Sequence, residues 1–125
     1  MALPDLGIPW QQNGEWLQRS YLKSNRENVV RFVRAISDSI KFYFEQKDKT
    51  VTYLTEFIGS NREDTEYAYQ LFAKWADRNP RPKADSIKNT LLAISGTTPK
   101  AANADPASFI DTSIVDQLLK EGYFK

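Results

Sequence analysis

The 125-residue chain contains no cysteine and no histidine. Without cysteine there is no disulfide and no thiolate chemistry, and the compartment is left open. Without histidine the usual general base near neutral pH is missing. So are the Ser-His-Asp arrangement and the commonest transition-metal ligand. The serines therefore have no base to activate them. Glycine is scarce, at five residues. All are isolated, so there is no glycine-rich phosphate loop. No apolar run approaches the ~20 residues that span a bilayer. The opening MALPDLGIPW has neither a basic region nor a long apolar run, and no signal peptide is expected there. Formal net charge is +1, which gives no electrostatic case for nucleic acid or an anionic membrane.

What is present is ordinary for a globular domain: 41% hydrophobic and 26% charged residues. The length suits one domain with one core, and no repeat of fixed period occurs. The dominant segment is 24–46, with apolar residues at Val29, Phe32, Val33, Ile36, Ile40, Tyr43 and Phe44. That is helical spacing over several turns, and a charge at Ile36 would be expected to unfold the domain. Arg34 with Asp38 and Lys41 with Glu45 are spaced for surface pairs of roughly 0.2–0.5 kcal/mol each. Ser24 and Glu27 read as a capping box.

Residues 1–14 are broken by prolines and glycines and read as loop. Residues 15–22, EWLQRSYL, read as a strand, one with no visible mate in the chain. A second helix is expected from Lys49 to Ile58, capped by Asp48 and ended by Gly59. A third, at 61–76, has Ser60 and Glu63 as its capping box, with Ala68, Leu71, Phe72 and Trp75 as its apolar face. Pro80 and Pro82 stop it. A fourth spans Ala84 to Ser95, with Gly96 at its end, and 97–108 reads as a surface loop. A fifth, capped by Asp111 or Thr112, carries Ile114, Val115, Leu118 and Leu119 and ends at Gly122. The expected fold class is mainly α: about five helices with one short N-terminal strand. Residues 1–23 form an extended segment and 24–125 a helical domain.

Few residues suggest chemistry. Glu63, Asp64 and Glu66 sit where helix starts favour negative charge. Arg31, Arg34 and Lys41 are interleaved with Asp38 and Glu45, as on a solvated face. No spacing suits a calcium or zinc site. The ligand candidates are Trp10, Gln11, Asn13 and Trp16, two indoles flanking a run of amides that could donate hydrogen bonds to a small polar molecule.

Order and spacing of short motifs carry a family resemblance over nearly the whole chain. The run Asp5-Leu6-Gly7-Ile8-Pro9-Trp10-Gln11, then Asn13-Gly14, Arg19, Tyr21-Leu22 and Asn25-Arg26, resembles the solute-binding proteins of nitrate, taurine and aliphatic-sulfonate ABC importers. The thiamine-precursor-binding proteins share the pattern. So does the helix Asn25-Arg26, Val29, Arg31-Phe32, Arg34-Ala35, and so does the tail Phe109-Ile110-Asp111, Val115, Leu118, Glu121-Gly122-Tyr123-Phe124. The resemblance implies a portion of a two-lobed α/β protein that closes on a small anionic or heterocyclic ligand. It matches only the last third or so of such proteins, so the ligand site would be incomplete. It also implies an extracytoplasmic location, an ABC permease as partner, and an upstream sheet to complete the strand at 15–22. Some relatives are pyridoxal-phosphate-dependent thiamine-pyrimidine synthases that consume a histidine. This chain has no histidine and no lysine in the needed context, so neither enzyme activity nor a cofactor is expected. The alternative is a helical interaction module that pairs through the exposed strand, with a partner or as a homodimer.

Overall fold

Asn25 and Gln46 interrupt what would otherwise be one long run of helix. Both leave helical geometry for a single residue, with φ/ψ of −128°/32° and −120°/54°. They separate α1 (Arg19–Ser24), α2 (Arg26–Glu45) and α3 (Lys47–Ile58). The computed structural model describes residues 3–10 and 14–124. A 3-10 turn at Leu3–Leu6 precedes these helices; α4 (Arg62–Trp75), α5 (Ala84–Ile94) and α6 (Ser113–Lys120) follow. Two further 3-10 turns, at Pro99–Asn103 and Pro106–Phe109, occupy the segment expected to be loop.

The mainly helical expectation holds, with six α-helices rather than five and no strand among the described residues. The strand expected at 15–22 is not there. Residues 14–18 are irregular, and Arg19 onward is helix. The reason is hydrogen bonding. A lone strand has no ladder, whereas a helical turn satisfies its own backbone, as in Leu22 N–H to the Gln18 carbonyl at 3.1 Å and Asn25 N–H to that of Tyr21 at 2.8 Å.

The two expected capping boxes are also absent. Ser24 is the last residue of α1, and the position that caps α2 is Asn25, with no side-chain capping bond. Glu27 instead pairs with Arg31 at 2.6 Å. At α4 the cap is Asn61, whose Oδ1 accepts from the Asp64 N–H at 2.9 Å, rather than Ser60. Asp48 lies in the first turn of α3, behind Gln46 as its N-cap.

Two glycine stops behave as read. Gly59 ends α3 with φ 71°. Gly122 follows α6 with φ 72°, and the Tyr123 N–H reaches the Leu118 carbonyl at 2.9 Å while the Gly122 N–H reaches that of Leu119 at 3.1 Å. This is a Schellman ending, and it turns Tyr123 back onto the core. Gly96 does not act this way; α5 ends on Ser95 in right-handed geometry.

Packing divides along α2. Its N-terminal half joins Val29 to Ile114 and Leu118 of α6, with Leu22, Val33, Tyr123 and Phe124 around them. Its C-terminal half meets α3 and, through Tyr43, α4. The α5 helix packs on the two 3-10 turns, with Ile87 and Ala101 buried. Buried positions on the helices include Ser37, Thr50 and Thr65. The Ser37 and Thr65 hydroxyls bond carbonyls of the preceding turn, at 2.7 and 2.8 Å, so these two sit inside the bundle with their hydrogen bonds made, whereas the Thr50 hydroxyl is buried without a partner.

This seam sets the phase of α4. Thr65 and Tyr69 are its buried positions. The face read as core is outside: Leu71 is 40% and Phe72 57% exposed, Ala68 is exposed and Trp75 half-buried. Phe32 on α2 is likewise exposed. A folded monomer of 14.4 kDa is expected to expose about 6,800 Å². This chain exposes 9,384 Å², an excess of roughly 2,500 Å² over that expectation.

Candidate functional site

Trp10 and Trp16 are both exposed, Trp16 at 72%. Gln11 and Asn13 lie outside the described residues. The nearest tie from this segment to the body is the Asn89 side-chain amide donating to the Pro9 carbonyl at 2.7 Å, together with the Lys74–Asp5 ion pair at 3.0 Å. The segment is therefore tethered to α4 and α5, with its aromatic surface in solvent.

The most organised polar cluster lies where α6 and the C-terminal turn meet α2. The Tyr123 hydroxyl donates to Asp38 at 2.8 Å. Arg34 pairs with Glu121 at 2.9 Å, not with Asp38 as its spacing suggested, and its guanidinium lies 5.7 Å from the Tyr123 ring centroid. Gln117 donates to Glu121 at 2.9 Å. Sequence reasoning missed this cluster because its partners are 85 to 87 residues apart. Beside it is a cavity of about 150 Å³ walled by Phe44, Tyr123 and Phe124, with Asp38, Lys41, Glu45 and Arg78 on its rim. The Arg78 guanidinium sits 4.4 Å from the Phe44 ring centroid. The volume is below the ~300 Å³ of ordinary ligand pockets, and two acids face two bases, so the cavity offers no net attraction to one sign of charge. Gln117 and Glu121 also belong to a broader open depression, lined besides by Arg26, Ser113, Asp116 and Lys120.

Hydrogen bonds tune several groups. The Ser113 hydroxyl and N–H hold Asp111 below the usual carboxylate range. Arg81 and then Thr112 do the same for Asp116, and Gln117 with Arg34 for Glu121. Donation to Asp38 raises the Tyr123 phenol. Burial, with Tyr69 adding to it, pushes Tyr43 from 10.0 up to about 12. No set of three or more metal-ligating side chains converges among the described residues. No helix among them is long and apolar enough to cross a membrane.

These shifts have signs. The lowered carboxylates contribute stability above their unfolded values near pH 4, and it is lost as pH falls through their depressed folded values. Tyr43 contributes below about pH 10, and its contribution is lost as pH rises from about 10 towards its folded value of about 12. Melting followed by circular dichroism should therefore fall at both ends. Tyr43→Phe is expected to flatten the alkaline limb and leave the acid limb in place.

No protein-family model, curated protein or solved structure matches the chain.

Exposed apolar side chains gather on α4 and α3. The exposed face of α4 carries Ala68, Leu71, Phe72 and Trp75, with Tyr67 (68% exposed) along its edge. On α3, Tyr53 stacks on Phe42 at 6.1 Å between centroids, and Phe57, one turn on, is 89% exposed. Single exposed apolar residues are normal, but contiguous ones on one helix face mark a docking surface.

Proposed function

We propose that this chain is the helical part of a two-lobed solute-binding protein serving an ABC importer for small anionic or heterocyclic molecules, with its ligand site completed by an upstream lobe. The observation that carries this is the exposed surface, roughly 2,500 Å² beyond that of a self-contained monomer of this mass. Such an excess is what a lobe presents when the body it packs against is absent. The ordered motifs from Asp5 to Phe124 supply the family. On this reading the protein acts outside the cytoplasmic membrane and delivers its ligand to a permease. The segment from Trp10 to Trp16 would then border the cleft.

The test is a thermal shift on a two-lobed protein carrying this chain behind such a lobe. Nitrate, taurine, an alkyl sulfonate and an aminopyrimidine are the probes. Saturation at about 100 times Kd should stabilise it by about 2.7 kcal/mol. No shift with any of the four would end the reading.

A second reading is favoured by the open face of α4: a free-standing helical interaction module. With no strand among the described residues, it would dock by helix faces and not by strand pairing.

A further inference from the structure

We infer that the apolar face of α4 pairs with the same face of a second copy, antiparallel, about a two-fold axis passing between Ala68 and Leu71. The inference rests on the exposed face of α4 and does not depend on any ligand.

Three observations lead to this occupant. First, the face is built as a helix-packing stripe. Ala68, Leu71, Phe72 and Trp75 follow the i, i+3, i+4, i+7 spacing that buries one side of a helix, yet α4 spends its buried side on Thr65 and Tyr69. Phe72 turns one edge to the Tyr43 ring and Trp75 is half-buried under Lys74, but Ala68, Leu71 and the outer side of Phe72 stay uncovered. Ala68 at its centre lets two backbones approach.

Second, the charges on α4 are complementary only to an inverted copy. The first turn carries Glu63 and Asp64, and the last carries Lys74. The remaining cation of the first turn, Arg62, is held by Asp48 at 3.1 Å and Glu66 at 3.8 Å. An antiparallel pair centred between 68 and 71 sets Glu63 and Asp64 within a turn of Lys74 in the other copy. Lys74 reaches Asp5 at 3.0 Å in an exposed pair that can be shared. A parallel pair would oppose like with like. Net charge of +1 adds no overall repulsion between copies.

Third, the surface beside the stripe is apolar as well: Tyr53 and Phe57 of α3 are 59% and 89% exposed, and can contribute to the roughly 800 Å² that a standard interface takes from each partner. An isologous two-fold contact closes on itself, so it yields a dimer and no fibre.

Sedimentation equilibrium of the full chain from about 1 μM to about 100 μM tests this. The expected result is a mass rising from 14.4 kDa towards twice that value. Leu71→Lys should weaken association at least tenfold with an unchanged circular dichroism spectrum. Should Leu71→Lys melt early, Tyr67→Glu at the edge of the stripe gives the same reading. Glu63→Lys should also weaken the pair, and adding Lys74→Glu should restore it.

Geometry is read by crosslinking, which the cysteine-free background makes clean. Under mild oxidation Ala68→Cys should form a disulfide-linked dimer. Lys49→Cys, on the far side of α3, should not. A monomer throughout the range, a dimer indifferent to both Leu71→Lys and Tyr67→Glu, or equal crosslinking at both positions would overturn the inference. None of these results touches the thermal-shift assay, so the two proposals fail separately.

Discussion

Leu118→Ala is expected to lower the free energy of unfolding by about 2–5 kcal/mol. Leu118 is one of two large side chains with no exposure at all. It stands in the one multi-residue cluster of buried apolar side chains among the described residues, with Val29 and Ile114, and its carbonyl accepts the Tyr123 N–H that folds the C-terminal turn back. Truncation removes methyl groups from water-free surroundings and leaves a void between α2 and α6. With so little fully buried apolar surface elsewhere, neighbours have few ways to refill it. A chain of this size has only about 5–15 kcal/mol in total, so the variant should be marginal at room temperature. Urea denaturation should show a lower midpoint at constant slope. A loss below 1 kcal/mol would mean that α6 is not packed on α2 as described.

Tyr69→Ala is expected to cost about 3–5 kcal/mol. Tyr69 and Tyr43 form a reciprocal lock. Each hydroxyl donates to the other's backbone carbonyl at 2.9 Å, and the rings stack at 4.5 Å with 20° between planes. Phe72 meets the Tyr43 ring edge-on at 5.3 Å. Losing the Tyr69 ring removes the stack, one hydrogen bond and the cover over the α2–α4 seam. Tyr69→Phe separates these contributions, since it removes only the hydroxyl and should cost about 0.5–1.5 kcal/mol. If the two variants melt together, the hydroxyl and not the ring holds α4.

Which parts were legible follows from range. The α2 helix, the end of α3 at Gly59 and the α6 face Ile114–Val115–Leu118 are written in local periodicity and in glycines that take positive φ. Ile36 was read as the heart of the α2 stripe. It is half-buried, and Leu118, 82 positions away in sequence, holds the centre instead. The α4 phase was misread because Leu71 and Phe72 are more apolar than Thr65 and Tyr69. What buries Tyr69 is a tyrosine 26 residues back, and what makes Thr65 tolerable inside is a carbonyl on its own helix. The capping boxes shift by one residue: Ser24 is absorbed as the end of α1, and the asparagines at 25 and 61 take the N-cap positions. Of the ligand candidates, Trp10 and Trp16 stand apart in solvent, and no local signal marked the Arg34–Glu121 and Tyr123–Asp38 cluster.

The division of α2 also fixes an order of assembly. Its C-terminal half is closed by the tyrosine lock across 26 residues, its N-terminal half by bonds from Arg26 and Arg34 across 87. Closing the longer loop costs about 1 kcal/mol more chain entropy, before any contact offsets it. The α2–α3–α4 hairpin should therefore form as an early cooperative unit, and α6 should dock late onto a spine already half zipped. Amide hydrogens around Tyr43 would then exchange more slowly than those around Val29, though both lie on one unbroken helix.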